Sequence, residues 1–163
     1  MKKIIKLSPR INLVNKKFRK NQFYHFIKSP NVSIIIPYIN KKKFLIISQK
    51  RIPINKVNYE FPSGWVDINE MPKNSALREL LEETGFKSLS KPKKLINVYP
   101  DPGRLSHNVY GYWTNKLIKI KKPEKGMKVK ICTANQIIKL IKKAKFNNSS
   151  HIALFFYFLY NFC

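Results

Sequence analysis

Six of the eight carboxylates in this chain fall between positions 60 and 83. They are Glu60, Asp67, Glu70, Glu79, Glu82 and Glu83; Asp101 and Glu124 are the other two. Random scatter over 163 residues would leave about one acid in that window. On a helix, Glu82 and Glu83 fall on either side of Glu79, so the three form one acidic stripe. Leu77, Leu80, Leu81 and Thr84 lie opposite and are expected to face a core. Such a stripe is unfavourable in itself. Like charges at i, i+3 and i+4 repel by a few tenths of a kcal/mol per pair, and carboxylates near a helix C-terminus oppose its dipole. A bound cation would offset both costs, and clustered carboxylate oxygens suit Mg²⁺ or Mn²⁺. The competing explanation is a solvated face on which Glu82 merely pairs with Arg78 one turn earlier.

The elements that must hold this stripe are legible around it. Pro72 suits a first helical turn, and Gly85 sits where a left-handed C-terminal cap is wanted, so a helix is expected between them. Before it, Gln22–Lys28, Val32–Tyr38 and Phe44–Ser48 read as strands. The turn Ser29-Pro30-Asn31 separates the first two, and Asn40 with Lys41, Lys42 and Lys43 forms a hairpin tip. Tyr59–Pro62 and Trp65–Asp67 are short extended pieces around Gly64. After the helix, Leu95–Tyr99, Asn108–Thr114 and Lys128–Cys132 read as strands, with Pro100-Asp101-Pro102-Gly103 as a loop. Thr133 and Gln136 form a capping box for a helix over Ala134–Lys145, and Ser149-Ser150 caps a last, apolar helix. The alternation predicts a single α/β domain with helices packed on a mixed sheet. Residues 1–29 are read as a basic N-terminal arm and first strand, and 30–163 as the main domain.

Composition bounds the remaining choices. At 44% hydrophobic and 13% aromatic residues the chain can fill one core. The net charge of +25 invites a nucleic-acid partner, yet only five of the 33 basic residues are arginine. The lysines are spread along the chain, and Lys, Asn, Ile, Phe and Tyr share A/T-rich codons, so base composition accounts for them without a partner. Nucleic acid is therefore an open but disfavoured partner. The two cysteines, Cys132 and Cys163, form no CxxC, and the three histidines do not pair with them. A reducing cytoplasmic compartment is the expectation. Met1-Lys2-Lys3-Ile4-Ile5 runs at once into Lys6, so no leader is indicated. The apolar run 152–163 is shorter than the ~20 residues a membrane span needs, and no membrane role is expected.

Residues Gly64 to Phe86 resemble the signature of the Nudix hydrolases. The pattern runs Gly64, Glu70, then Arg78-Glu79-Leu80-Leu81-Glu82-Glu83-Thr84-Gly85-Phe86, with every fixed position at the family's spacing. The resemblance implies a Nudix-type α/β/α sandwich over residues 30–160. It implies that Glu79, Glu82 and Glu83, with the Gly64 carbonyl, hold two or three Mg²⁺ (or Mn²⁺) ions. Arg78 would orient the carboxylates and Glu70 would pin the loop. The implied chemistry is in-line attack of activated water on a pyrophosphate.

Flanking residues resemble the subgroup acting on ADP-ribose and nucleotide sugars. Glu60-Phe61-Pro62-Ser63-Gly64 resembles its Glu-Leu-Pro-Ala-Gly lead-in, and Gln49-Lys50-Arg51 its Gln-Tyr-Arg. Pro102-Gly103 falls where the subgroup carries a proline-glycine loop. Arg51, Glu60, Pro102, Gly103 and Arg104 are thereby candidate substrate-binding residues, for a small nucleotide substrate. Two departures stand out. The loop that supplies a glutamate base in the subgroup is here Lys121-Lys122-Pro123-Glu124-Lys125-Gly126, leaving Glu124 as that loop's sole candidate, with Glu79 or Glu82 as the alternative base. The N-terminal region is short for members that dimerise through an extra N-terminal sheet, so a homodimer stays open. Two rival expectations are hydrolysis at RNA 5′ ends and a Nudix-fold module that binds nucleotides without catalysis.

Overall fold

A computed structural model describes residues 2–39 and 43–163. The expected hairpin tip at Asn40–Lys42 lies outside them; Lys43 already opens a strand. The central sheet is built from β4 (Val32–Ile39), β5 (Lys43–Arg51), β6 (Lys56–Glu60), β7 (Ser63–Trp65), β9 (Lys93–Val98), β10 (Val109–Thr114) and β12 (Lys128–Thr133). Its order is β12-β5-β4-β10-β9, with β6 on β5 and β7 on β4. Strands β4 and β10 run parallel, Val32 opposite Val109 and Ile35 opposite Tyr112, and the other pairs are antiparallel. The sheet is mixed, as expected.

Alternation along β4 assigns its two faces. Ile34 and Ile36 point into a core shared with α2 (Ala134–Lys142) and α3 (Ser149–Phe162). Ile35 points the other way, onto Ala76 and Leu80 of α1 (Pro72–Thr84). Helices thus cover both faces, giving the α/β/α sandwich. The α3 side is aromatic. Phe44, Phe61, Phe146, Phe155 and Phe158 are completely buried, with Phe44 and Phe155 edge to face at 5.4 Å. Burying each such ring stabilises by about 1.5–3 kcal/mol. The apolar C-terminal run therefore packs on the sheet, and no helix among the described residues is long and apolar enough to cross a membrane.

The N-terminal region departs from the sequence reading. Instead of an arm with one strand, residues 2–28 form an antiparallel sheet of β1 (Lys2–Lys6), β2 (Asn12–Arg19) and β3 (Gln22–Lys28). Apolar cross-strand pairs Ile4–Val14, Leu13–Ile27 and Val14–Phe26 hold it. Most of its side chains are exposed, so no buried face imprints a period of two on the sequence. A short antiparallel pair, β8 (Phe86–Ser88) with β11 (Leu117–Lys119), is a second element that the sequence pattern does not predict.

Helix ends differ by small margins. The Thr133–Gln136 capping box is present in full. Helix α2 stops at Lys142 rather than Lys145, because Ala144 turns to φ +50°. Asn148, not Ser149, caps α3, its side-chain oxygen accepting the Ser150 N–H at 3.1 Å.

Candidate functional site

The acid helix is fixed at both ends. Pro72 opens α1, and Ser75 joins it to the sheet: the Ser33 hydroxyl donates to Ser75 Oγ at 2.8 Å, and Ser75 donates to the Trp65 carbonyl at 3.2 Å. Gly85 closes it at φ +76°, its N–H donating to Leu81 O at 2.9 Å. Strand β7 then lies against the helix's acidic side.

Arg78 is the hub of that side. Its Nε and Nη2 donate to the two oxygens of Glu70 at 3.1 Å each, and Nη2 also reaches the Trp65 carbonyl at 2.9 Å. Nη1 donates to Glu79 at 2.7 Å and to Glu82 at 3.0 Å. Glu70 in turn accepts the Asp67 N–H at 3.1 Å, so one guanidinium ties the loop to the helix. These bonds to Arg78 hold the Glu70 carboxyl below its ordinary pKa. Orienting the acids and pinning the loop would need a geometry of this kind.

The stripe is not a solvated face. Glu83 is only 5% exposed, and one of its oxygens accepts the Ser63 N–H at 2.8 Å. Burial pushes its pKa up to about 8, with the Glu79 charge adding to the rise. Glu79 is also largely buried, and burial raises its pKa although Arg78 pulls the other way. Glu82 is the more open member. Gly64 lies directly beneath Glu79: a Cβ there would come within 2.0 Å of the carboxylate. Glu124 stands next to this group through its backbone, its N–H donating to Glu82 O at 2.9 Å. Its side chain is exposed, and its charge adds to the rise at Glu79.

Among the described residues, no three Asp, Glu, His or Cys side chains converge closely enough to hold an ion as they stand. Arg78 engages two of the stripe's carboxylates. The donor chemistry nevertheless fits a hard divalent cation. Glu79 and Glu83 are acids buried at a cost and repelling each other, beside an open third acid and the Gly64 backbone. Any cation there relieves that cost.

A second buried acid flanks the stripe. Glu60, 1% exposed, accepts Arg51 Nε at 2.9 Å, Arg51 Nη2 and Asn58 Nδ2 at 2.8 Å. Burial alone would raise its pKa, but these bonds and nearby positive charge hold it below the usual carboxylate range. Arg51, the last residue of β5, and Glu60, the last of β6, therefore form a closed pair across the antiparallel β5–β6 ladder. The next residue, Phe61, donates its N–H to Nδ1 of the buried His151 at 3.1 Å. A cavity of about 260 Å³ opens at this junction, lined by Arg51, Ser63, Gly64, Trp65, His107 and His151 among others.

The proline-glycine loop stands elsewhere. Gly103 accepts the Tyr24 hydroxyl at 2.6 Å, and Pro102 helps line a separate cavity of about 530 Å³ against Phe18, Tyr24 and Phe26 of the N-terminal sheet. Among the described residues the exposed Arg104 side chain reaches only the Gly103 carbonyl, at 3.3 Å. None of the three lines the cavity at Gly64, which Pro100 reaches instead. The structure thus brings together Gly64, Arg78, Glu79, Glu82, Glu83 and Glu124, with Arg51 and Glu60 alongside. Sequence reasoning missed Ser63, Asn58 and His151. A histidine inside a helix as apolar as α3 was the one signal available.

A family model for the NUDIX domain matches residues 28–155. The chain is similar to an ADP-ribose pyrophosphatase of Bacillus subtilis, 29% identical over 107 residues, covering 66% of this chain and 56% of that protein. It is similar to an ADP-sugar pyrophosphatase of Mus musculus, 36% identical over 64 residues, 37% of this chain and 29% of that protein. An RNA pyrophosphohydrolase of a Nitratiruptor species is 32% identical over 107 residues, 58% of this chain and 64% of that protein. The chain spans about half the length of the first curated relatives it matches. Among solved structures, an ADP compounds hydrolase superposes with a TM-score of 0.77 at 15% identity, covering 98% of this chain and 90% of that one. That likeness establishes the fold.

Proposed function

We propose, from the premise that this chain belongs to the Nudix family, that it hydrolyses a pyrophosphate bond in a nucleoside diphosphate linked to another moiety. ADP-ribose or a nucleotide sugar is the substrate class, giving a nucleoside monophosphate and a phosphorylated product. The observation that carries this reading is the buried pair Glu79 and Glu83 closing over Gly64 and the Ser63 N–H. Burial raises both carboxyls and so disfavours their charged forms, a cost that a bound cation would offset. The names of the Bacillus and mouse relatives support the substrate class.

Glu79, Glu82, Glu83 and the Gly64 carbonyl would hold Mg²⁺ or Mn²⁺, two to three ions in all. Bound there, the cation neutralises charge on the pyrophosphate and makes water more acidic. The chain's own residues do the rest. Arg78 keeps Glu79 and Glu82 apart and aimed, through its bonds to both and to Glu70. Ser63 fixes one oxygen of Glu83 and leaves the other to act. Glu124, exposed beside the stripe, is the carboxylate free to accept a proton from the attacking water. The closed Arg51–Glu60 pair ties β5 to the end of β6, three residues before Ser63, and Arg51 also faces the cavity where substrate would lie. Pro102, Gly103 and Arg104 would meet the substrate from the N-terminal side only by closing in. The free thiols of Cys132 and Cys163 suit a reducing, cytoplasmic setting.

The test is a substrate panel with Mg²⁺: ADP-ribose, GDP-mannose, NADH, a diadenosine polyphosphate and a 5′-triphosphorylated RNA. Cleavage of ADP-ribose to AMP and ribose 5-phosphate, lost in Glu83→Gln, is the expected result. Preference for the RNA would move the reading to RNA 5′ ends. Tight nucleotide binding without cleavage would make the chain a binding module.

A further inference from the structure

The cavity beside Gly64 has a wall that the hydrolytic machinery does not use. His151 lies in the first turn of α3 and is 2% exposed. Its Nδ1 accepts the Phe61 N–H at 3.1 Å, and its ring stacks on Phe61 at 9° and 6.4 Å. A ring nitrogen that accepts from a backbone N–H carries no proton, so the imidazole is neutral and its proton sits on Nε2. That leaves Nε2–H as the donor of a ring that lines the cavity. Ser150 and Asn148 line the same wall. Among the described residues the Ser150 hydroxyl makes no hydrogen bond, and the Asn148 oxygen is already spent on the α3 cap, leaving its amide to donate.

Charge narrows the occupant. Among the described residues the only cation on the cavity is Arg51, and two of its donors are taken by the buried Glu60. What remains is a set of neutral donors and acceptors: imidazole N–H, hydroxyl and amide. About 260 Å³ is below the ~300–1,000 Å³ of a site that takes a whole drug-sized ligand, so the cavity takes one part of a substrate. Ser63, Gly64 and Trp65 line it too, and this is the segment on which Glu79 and Glu83 close.

We propose that this cavity is the subsite for a neutral polyhydroxyl group, the sugar carried on the far phosphate, with His151 Nε2–H and the Ser150 hydroxyl as its hydrogen-bonding partners. This rests on the pyrophosphate-hydrolase reading and names the substrate class of the same site. A site built from buried neutral donors rejects a group lacking hydroxyls, because those donors are then left unpaired. A further phosphate would meet only Arg51, whose charge Glu60 already offsets.

The experiment compares three substrates sharing one adenosine diphosphate: ADP-ribose, the butyl ester of ADP, and ATP. Wild type should favour ADP-ribose over the ester in kcat/KM by about tenfold or more, the size of one or two neutral hydrogen bonds. In His151→Asn, the amide oxygen falls where Nδ1 was and still accepts from Phe61, but the Nε2 donor is gone. The selectivity ratio should then fall by about tenfold, mainly through KM for ADP-ribose. Ser150→Ala should lower it in the same direction, and it guards against a folding defect in the first variant. A ratio unchanged in both, with the substrates losing equally or not at all, would mean that His151 only braces Phe61, and would overturn the subsite. Faster cleavage of ATP than of ADP-ribose would overturn its neutral character. Failure of wild type to cleave any of the three would instead sink the hydrolase reading, and the subsite with it.

Discussion

Replacing Gly64 with alanine separates function from folding more cleanly than any other single change. The added Cβ would lie 2.0 Å from Glu79 Oε1, 2.3 Å from its Cδ and 2.7 Å from Oε2. Ordinary contact begins near 3.4 Å, so the carboxylate must retreat by about 1.4 Å. It sits at the end of a flexible side chain, and Gly64 has no positive φ, so the backbone is not strained. Stability should change by no more than about 1 kcal/mol. Activity should fall far more, since misplacing a reacting group by roughly 1 Å costs about a hundredfold. The assay is ADP-ribose hydrolysis at saturating Mg²⁺, paired with thermal unfolding of the same preparation. A Gly64→Ala protein that melts like wild type and retains activity within about threefold would refute the placement of Glu79 over Gly64 as the working geometry.

Three other changes probe the same frame. Gly85→Ala acts oppositely: at φ +76°, with its Cβ 2.0 Å from the Lys121 carbonyl, it should cost roughly 2–4 kcal/mol in denaturant unfolding, and a wild-type midpoint would contradict the cap. Glu83, raised to about 8, makes the chelated protein lose stability as pH climbs from the unfolded carboxyl value through 8, because the unfolded chain ionises first; Glu83→Gln should flatten that slope and raise the Tm at pH 7, whereas an unchanged slope would show that Glu83 is not buried at a cost. His151, lowered to about 4 by burial, contributes stability that is present above pH 6.5 and lost as pH falls toward 4; the loss should reach about 3 kcal/mol and be smaller in His151→Asn, and equal acid unfolding of the two proteins would argue against it.

The acid helix was legible because its constraints are local. Spacing put Glu79, Glu82 and Glu83 together, Gly85 marked the end, and the loop glycine lay at fixed distance. The capping box at Thr133 is local for the same reason. What escaped depends on partners far along the chain. Helical spacing alone cannot tell that Glu83 turns into the seam between α1 and the Ser63 loop, because Ser63 lies 20 residues away. His151 is 90 residues from the Phe61 N–H it accepts, so nothing near it in sequence marks its task. The N-terminal sheet hid for another reason. With Lys16, Lys17, Arg19 and Phe23 all exposed, its strands carry no buried stripe for periodicity to detect. The proline-glycine loop was readable as a turn, but its attachment to Tyr24 was not.

The most direct measurement is hydrolysis of ADP-ribose by wild type and Glu83→Gln, with Mg²⁺ titrated and binding followed by calorimetry on the same samples. Wild type should release AMP and ribose 5-phosphate only with the cation present. Glu83→Gln should stay folded, bind the cation more weakly and lose at least about a hundredfold in kcat/KM. Cation-independent cleavage, or a Glu83→Gln protein as active as wild type, would contradict the assignment of the buried acid pair to the chemistry.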